Sequence, residues 1–424
     1  MLEIVRAGTE AFERRFAAVR ERAGQDAARV RQEVRVLLDD IFDRGEAAVN
    51  DISQRFDKAL PREIPQSERD ADIAGCDPVL LDDLRRAARN IEDYQKRLTP
   101  RDGLWSNADG GRTGVMIRPV RRAGLYIPGG TSAYPSTVLM TAIPARVAGV
   151  RELIICTPPG EQLKPEVMAA ASIAGVDRIF TLNGVAAVAS MALGIGIVPR
   201  CDVAAGPGNA YITEAKRQLY GFCGIESTAG PSDVLVLCDG TANPAWVAAD
   251  LLSQAEHGAR SGAVLVTTGE AVAQAVCMEL ARQIETLPRR EGAEAALRDY
   301  GMAVIASSKA EALAVSNRFA PEHLELIADG AESWLGGVEN AGAVFLGPFS
   351  PEPLGDYWAG PSHVLPTEGS ARFFSPVSVE TFLKRSSVVA YGRDAFLSAA
   401  DGVARLARAE GLEAHARSAE ARKL

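Results

Sequence analysis

Hydrophobic positions follow two different periods along this chain. Apolar residues recur every three or four positions in Val30–Phe42 and Asp77–Leu98, which predicts helices in the first hundred residues. Short β-branched or apolar runs broken by glycine and proline begin at Thr113–Pro119 and Ala123–Pro128, which predicts strands. Strand and helix patterns then alternate, so we expect largely parallel sheets with helices on both faces.

The alternation predicts two α/β units. In the first unit the predicted elements are a helix at Ser136–Val150, a strand at Leu153–Thr157, a helix at Pro165–Ala174 and a strand at Arg178–Leu182. In the second they are the strands Asp233–Cys238, Ala263–Thr268 and Met302–Ala306 and the helices Ala245–His257, Glu270–Ile284 and Lys309–Phe319. A Gly/Pro-rich stretch, Gly347–Ser375, precedes the helical pattern of Arg393–Ala419, and so long an irregular stretch in a compact protein is usually functional.

Composition narrows the class of protein. The chain has 424 residues, of which 47% are hydrophobic and 24% charged, so a soluble globular protein of two or three domains is expected. A net charge of -9 with dispersed Lys and Arg argues against nucleic-acid binding. Met1–Arg22 lacks the apolar core of a signal peptide and no run approaches the roughly 18 apolar residues of a membrane span, so we expect a cytoplasmic protein without membrane contact. The six cysteines contain no Cys-x-x-Cys pair, which predicts reduced, structural thiols.

The segment Asp250–Gly258 carries the first candidate chemistry. On the predicted helix Gln254 and His257 stand three residues apart on one face, which is a spacing of metal ligands. A solvated or hydrogen-bonded couple is the commoner explanation of such a pair. The other histidines therefore decide between the two.

Each of the four histidines has an acidic or amide residue as a near neighbour: Gln254 with His257, Glu322 with His323, Asp356 with His363, and Glu410 and Glu413 with His415. Imidazole, carboxylate and amide oxygen are ligands of Zn, Mn or Co, and no cysteine lies in these segments. The pattern indicates an open, catalytic metal site rather than a Cys-based structural one.

Two of these pairs lie where the sequence predicts irregular backbone. Pro321 makes continuation of the preceding helix unlikely and places Glu322 and His323 on a turn, although a helix N-terminus favours glutamate there as well. Gly355–Thr367 contains two glycines and two prolines, which predicts a loop fixed tightly around Asp356 and His363.

Several separated motifs together resemble one family, the histidinol dehydrogenases, which catalyse the last two steps of histidine biosynthesis. The motifs are Gly124–Gly130, Gly206–Asn209 with Glu214–Arg217, Gly230–Asp233, Asp250–Gly258, Ala320–Leu324, Gly355–Thr367 and Glu410–His415. The resemblance implies an enzyme that oxidises L-histidinol through L-histidinaldehyde to L-histidine with two NAD+.

The resemblance also implies the composition of the site. One Zn2+ per subunit would be held by Gln254, His257, Asp356 and His415. The substrate would contact Ser232, His363 and Glu410 in addition to these ligands and His323. Glu410 and His415 would arrive from the other subunit of a homodimer. His323 would accept the hydroxyl proton and Glu322 would activate water, and the absence of cysteine from the motifs favours direct hydration of the aldehyde.

The expectation that NAD is the cofactor rests on the resemblance alone, because no Gly-x-Gly-x-x-Gly motif follows a predicted strand. The matching NAD positions are Tyr126, Pro128, Ala186 and Asn209. Ala186 stands where the family usually has glutamine, and Ser362 where it commonly has asparagine. These departures leave two alternatives: a paralogous zinc- and NAD-dependent dehydrogenase of another polar alcohol, and a metal-binding relative without catalysis.

The expected architecture combines the periodicity with the resemblance. We expect two incomplete Rossmann-like α/β domains with mostly parallel sheets. The predicted bounds are a helical N-terminal segment at 1–22, a discontinuous domain carrying the metal and acid/base residues at 23–125 and 233–377, an inserted domain carrying the NAD loops at 126–232, and a small helical dimerisation segment at 378–424 that docks on the other subunit.

Overall fold

The computed structural model describes residues 2–21, 26–129, 134–160 and 164–423. The chain divides into two compact units. The first comprises Met1–Leu98 and Arg121–Phe382, and the second Thr99–Val120 and Leu383–Leu424. The predicted α/β class with mostly parallel sheets is confirmed. No helix among the described residues has the length and apolar character needed to span a membrane.

The strands, in chain order, are β1 Glu3–Arg6, β2 Arg62–Glu63, β3 Gly103–Ser106, β4 Arg112–Pro119, β5 Arg122–Tyr126, β6 Glu152–Thr157, β7 Arg178–Thr181, β8 Val203–Ala205, β9 Gly224–Ile225, β10 Asp233–Cys238, β11 Gly262–Thr267, β12 Gly301–Ile305, β13 His323–Ile327, β14 Ala343–Leu346 and β15 Leu383–Ala390.

The helices are α1 Glu10–Arg20, α2 Ala27–Arg44, α3 Glu46–Phe56, α4 Gln66–Ala74, α5 Pro78–Leu98, α6 Pro135–Ala148, α7 Pro165–Ile173, α8 Gly184–Leu193, α9 Ala210–Leu219, α10 Pro244–Ala255, α11 Glu270–Gln283, α12 Arg290–Tyr300, α13 Lys309–Phe319, α14 Glu332–Leu335, α15 Glu352–Leu354, α16 Arg393–Ala409 and α17 Glu413–Glu420. Single helical turns occur at Ile284–Thr286, Gly355–Ala359, Ser370–Arg372 and Val379–Phe382.

The first sheet has the order β1-β12-β11-β10-β13-β14, and all its pairs are parallel. Alternate residues of β10 enter different cores, because successive side chains of a strand point to opposite faces. Val234 and Val236 pack with α10, α11 and α12, whereas Leu235 and Leu237 pack with α1 and α13. Burial of both faces explains the nearly continuous apolar runs in these strands.

The second sheet has the order β2-β7-β6-β5-β8-β9 and is parallel except for the short β2 at its edge. One face packs against α2, α3, α8 and α9 in a single apolar cluster. The strands β5 and β8 are neighbours in its middle, so the loops that follow them leave the sheet side by side. This edge carries most of the predicted NAD positions.

The second unit contains an antiparallel sheet of order β15-β4-β3 and the packed pair α16 and α17. Gly411, with φ +77°, separates the two helices. The predicted helix Arg393–Ala419 is therefore two helices, and the C-terminal segment predicted as helical at 378–424 also contains β15. The chain leaves the helical pattern there because Val388 and Val389 favour a strand paired with β4.

Three further predictions differ from the structure. The N-terminal segment at 1–22 is not wholly helical, since Glu3–Arg6 forms β1 and pairs with β12; Met1 and Arg22 lie outside the described residues. The helices α2 and α3, predicted within the discontinuous domain at 23–125, instead share the apolar cluster of the second sheet. The strand β4, in that same range, belongs to the antiparallel sheet. Periodicity predicted α2 and β4 but does not reveal which sheet an apolar face will cover.

Candidate active site

The candidate site lies where β10 and β13 begin, at the amino-terminal edge of the first sheet. Ala320 ends α13 in the left-handed region, with φ +53°, and Pro321 leads directly into β13. His323 is thus the first residue of a buried strand and pairs in register with Val234. The predicted turn at Glu322 and His323 is correct only for Glu322, because parallel pairing with β10 draws His323 into the sheet.

Reciprocal hydrogen bonds fix this edge. The Glu322 N–H donates to Asp233 Oδ1 at 2.7 Å, and the Asp233 N–H donates to Glu322 Oε2 at 3.0 Å. His323 Nδ1 lies 3.1 Å from the carbonyl oxygen of Asp233. The imidazole is therefore oriented by the backbone, which favours a proton on Nδ1 in the neutral form and leaves Nε2 for chemistry.

Three carboxylates surround the His323 imidazole. Glu322 Oε2 and Glu352 Oε1 lie 4.0 and 3.9 Å from Nδ1, and Asp356 Oδ1 lies 3.7 Å from Nε2. The His323 and Glu352 side chains are 4% and 2% exposed. So much negative charge away from water is unfavourable unless protons or a cation neutralise it.

The pKa values reflect that charge. Burial raises the pKa of Glu322 to about 8 and that of Glu352 to about 7, in spite of the opposing effect of His323. Burial disfavours the imidazolium of His323, yet the carboxylates of Glu352 and Glu322 raise its pKa well above the usual range. Burial likewise raises the pKa of Glu325, and the neighbouring Asp250 raises it further. Burial therefore keeps the pKa values of Glu322, Glu352 and Glu325 above that of an exposed glutamate.

Asp356 lies among three histidines. Its pKa is raised by burial but lowered by more through the nearby imidazoles of His323, His363 and His257. It projects from a π-helical turn, Gly355–Ala359, rather than from the predicted loop. Such turns add one residue to a helix and often occur at functional sites.

Several buried polar atoms here have no hydrogen-bond partner among the described residues. Gln254 is fully buried, and neither its amide oxygen nor its nitrogen is bonded. Nε2 of His323 and Nε2 of His363 are also unbonded. Unbonded buried polar groups are costly unless a ligand satisfies them. Amide, imidazole and carboxylate together are a donor set that fits Zn2+ or a similar ion, and the carboxyl end of α10 adds further negative potential.

The other predicted centre lies at the carboxyl ends of β5 and β8. Tyr126 ends β5, and its hydroxyl donates to Asn183 Oδ1 at 2.7 Å. Asn209 begins α9, and its Oδ1 accepts from the N–H groups of Tyr211 and Ile212 at 3.0 and 3.3 Å. Gly206 lies so close to Tyr126 that an added Cβ would be 2.1 Å from its carbonyl oxygen. The N-terminal ends of α8 and α9, which carry positive partial charge, thus lie at this edge together with the end of β5.

Comparison with known proteins gives the family. The sequence model of the histidinol dehydrogenase family matches residues 20–423. The chain belongs to the histidinol dehydrogenase family. The histidinol dehydrogenase of Moorella thermoacetica is 50% identical over 94% of each chain, and that of Bacillus subtilis is 45% identical over 93% of each.

A solved structure agrees in fold. The crystal structure of histidinol dehydrogenase from Elizabethkingia anophelis superposes with a TM-score of 0.93 at 34% identity, covering 99% of this chain and 98% of that one. Family membership makes the chain an oxidoreductase of histidine biosynthesis.

The structure brings some predicted family residues together and not others. Glu322, His323 and Asp356 share one cluster, and the charges of His257 and His363 act on Asp356. Ser232 directly precedes Asp233 in the chain. Glu410 and His415 lie on the second unit, at the end of α16 and on α17, and their place in the site stays a prediction.

The metal ligands need one correction of local structure. Gln254 lies in the last turn of α10, but the helix ends at Ala255 and His257 follows in a turn, its N–H donating to Gln254 O at 3.2 Å. The helix predicted over Ala245–His257 therefore ends two residues earlier than expected. Among the described histidine, cysteine and acidic residues, His323, Glu352 and Asp356 bring ligand atoms within 4.8 Å of one another, and of these only Asp356 belongs to the predicted metal set.

The sequence pattern did not indicate that Glu352, Asp250 and Glu325 belong to the buried acidic cluster. Glu352 stands four residues before Asp356, and Asp250 four before Gln254, so each shares a helical face with a predicted ligand. Glu325 Oε1 accepts a hydrogen bond from the N–H of Glu352 at 2.7 Å, and the Glu325 side chain also neighbours Asp250. The helical spacing was a usable signal for the first two, but the position of Glu325 depends on the pairing of β13.

Among the predicted cofactor positions, Ala186 differs in its surroundings. It is fully buried in the apolar cluster of the second sheet, whereas Pro128 is partly exposed and Asn209 exposed. Gly130, the last residue of the Gly124–Gly130 motif, lies outside the described residues. Ser362 is buried, and its hydroxyl donates to the Met140 carbonyl oxygen at 3.2 Å.

Proposed function

We propose that the chain oxidises L-histidinol through L-histidinaldehyde to L-histidine, with two NAD+ reduced in succession. The observation that carries this proposal is the buried imidazole of His323, held at Nδ1 by the Asp233 carbonyl and surrounded by carboxylates. Such a group can accept a proton from an alcohol while hydride leaves the same carbon.

His323 is the general base of both oxidations. In the first, its Nε2 takes the hydroxyl proton of the alcohol as hydride passes to NAD+. In the second, His323 returns that proton to the aldehyde oxygen as water adds, and it then takes a hydroxyl proton of the hydrate as the second hydride passes to a second NAD+. The nearby Asp356 carboxylate, 3.7 Å from Nε2, stabilises the imidazolium that forms each time.

Glu322 activates the water that adds to the aldehyde. Its carboxylate is held by the Asp233 N–H, and burial has raised its pKa to about 8, so it accepts a proton more readily than an exposed glutamate. Hydration by water leaves no need for a cysteine nucleophile, in agreement with the absence of cysteine from the cluster.

One Zn2+ per subunit would be held by Gln254, His257, Asp356 and, from the other subunit of a homodimer, His415. When bound, the ion would orient the substrate and supply positive charge near the developing alkoxide. Ser232, His363 and Glu410 complete the substrate contacts in this proposal. The unbonded Gln254 amide and the excess of carboxylates support a cation at this place.

The test is the stoichiometry of NADH. Purified protein with zinc, NAD+ and limiting L-histidinol is expected to form two NADH per histidinol, followed at 340 nm. One NADH per histidinol would limit the activity to an alcohol dehydrogenase, and none would contradict the proposal.

Growth separates histidinol from another alcohol. A histidine auxotroph lacking its own enzyme is expected to grow on histidinol as sole histidine source when it expresses this chain. The control is the same strain expressing the His323→Asn variant at equal level. Failure of the folded wild-type chain to support growth would favour a paralogous dehydrogenase.

A further inference from the structure

A buried ion pair lies beneath the loop that follows β8. Lys216 on α9 and Glu226, just after β9, approach to 2.6 Å between Nζ and Oε1, and their side chains are 1% and 3% exposed. Removing two charges from water costs free energy that apolar residues of similar volume would not incur. Stability alone therefore does not account for this pair.

Both polar backbone groups of Gly206 bind to the pair. Lys216 Nζ donates to the Gly206 carbonyl oxygen at 3.1 Å, and the Gly206 N–H donates to Glu226 Oε1 at 2.9 Å. On its other side Gly206, with φ +129°, touches the backbone of Tyr126. The two peptide units on either side of the Gly206 Cα are thus both fixed, which is unusual for a glycine in a loop.

This peptide connects the two parts of the proposed NAD site. Gly206 is the first residue after β8, and the loop from it ends at Asn209, where α9 begins. Lys216 lies on the same α9, so the pair ties the start of the loop to the helix that the loop leads into. Contact of Gly206 with Tyr126 extends the same constraint to the end of β5.

We propose that Lys216 and Glu226 are positioning residues for the dinucleotide. They hold the Gly206 peptide so that Tyr126 and Asn209 keep one arrangement before NAD+ arrives. The pair is buried beneath the loop and acts through the loop backbone. The identity of the ligand as NAD rests on the proposed function, whereas the hydrogen bonds between the ion pair and Gly206 do not.

The decisive variant is the double substitution Lys216→Met with Glu226→Leu, which fills the same space and leaves no unpaired charge. We expect the double variant to fold with a melting temperature a few degrees below that of the wild type, because no unpaired charge is left but the buried Gly206 N–H and carbonyl lose their partners. The dissociation constant of NADH, measured by calorimetry without substrate, is expected to rise about tenfold through the loss of two hydrogen bonds to Gly206.

Kinetics add a second readout. The KM for NAD+ is expected to rise in parallel with the NADH dissociation constant, whereas kcat at saturating NAD+ and the KM for histidinol stay within about twofold. Replacing Glu226 by Gln in the Lys216→Met background restores an acceptor for the Gly206 N–H and is expected to recover part of the NADH affinity. The matched control is Arg217→Met, which breaks the Arg217–Glu214 pair on the same helix, with its Arg side chain 47% exposed, and is expected to change neither constant.

Unchanged NADH affinity in the folded double variant would overturn the positioning role. A fall in kcat together with an equal rise in the KM for histidinol would also overturn it, because such changes indicate general disruption. If the double variant does not fold, Glu226→Asp serves in its place, because it keeps the charge on a side chain that is one methylene shorter. Unchanged NADH affinity in Glu226→Asp would likewise overturn the positioning role. Wild-type protein that binds no NADH would instead contradict the proposed function, which separates the two failures.

Discussion

The two parallel sheets carry their candidate sites at opposite ends of their strands, and different chemical groups form the two sites. In the first sheet the groups lie at the amino ends of β10 and β13, and titratable side chains such as His323 and Glu322 make the site. In the second sheet they lie at the carboxyl ends of β5 and β8, and backbone at Gly206 and a capped helix at Asn209 make it. The second arrangement is the usual one for ligands of open α/β sheets, and the first is not.

The difference follows from what each site has to do. Proton transfer needs groups whose pKa values are shifted toward neutrality, and burial provides this for Glu322 and Glu352 beside His323. Binding of a dinucleotide needs donors and close backbone approach, and at the second site a buried ion pair holds the Gly206 backbone. We therefore expect substitutions at the first sheet to change turnover and substitutions at the second to change cofactor affinity.

The largest effect is expected from His323→Asn. Loss of the general base should lower kcat by about 10²–10⁴-fold. NADH binding, measured by calorimetry, should stay as in the wild type because the second sheet is untouched. A variant that keeps more than a tenth of the wild-type kcat would remove His323 from the role of base, and an altered NADH affinity would break the separation of the two sites.

Removal of the Asp356 carboxylate is expected to weaken the binding of zinc. Asp356→Ala should weaken zinc binding by about 10–100-fold, measured as zinc retained against a chromogenic chelator. Glu339→Ala, which removes an exposed carboxylate in the loop before β14, serves as the control and should retain zinc fully. Equal zinc affinity in Asp356→Ala and wild type would exclude Asp356 as a ligand.

Subunit exchange tests whether His415 completes the site of a partner. Mixing inactive His415→Ala and His257→Ala chains should restore about a quarter of wild-type activity, since random pairing gives about half mixed dimers with one intact site each. Exchange itself is followed by native mass spectrometry with an isotope-labelled chain. No recovery in a fully exchanged mixture would place His415 outside the shared site.

The smallest effect concerns Ala186, where the family usually has glutamine. Because Ala186 is fully buried in the apolar cluster, Ala186→Gln should destabilise the fold by about 1–3 kcal/mol through overpacking. Thermal unfolding measures this cost, with Ala210→Gln at the exposed start of α9 as the control for the added amide. Tighter NADH binding without loss of stability would show instead that residue 186 faces the cofactor.

Local pattern predicted much of the fold because it depends on neighbours in sequence. The helix Lys309–Phe319 and the strand Asp233–Cys238 were predicted with their observed bounds. Predictions went wrong where partners are distant. Glu3–Arg6 becomes a strand only because β12 offers a parallel edge nearly three hundred residues later in the chain.

The candidate site shows the same division. Residue types and spacing around the four histidines indicated metal and acid/base chemistry, and the motif set identified the family, since the kind of ligand atom and the order of motifs are properties of the sequence itself. Only the tertiary structure decided that His323 opens a buried strand beside Asp233, that Glu352 and Glu325 join its cluster, and that Lys216 and Glu226 hold Gly206. These relations depend on strand pairing and on burial in a low-dielectric interior, and neither is encoded in the spacing of residues along the chain.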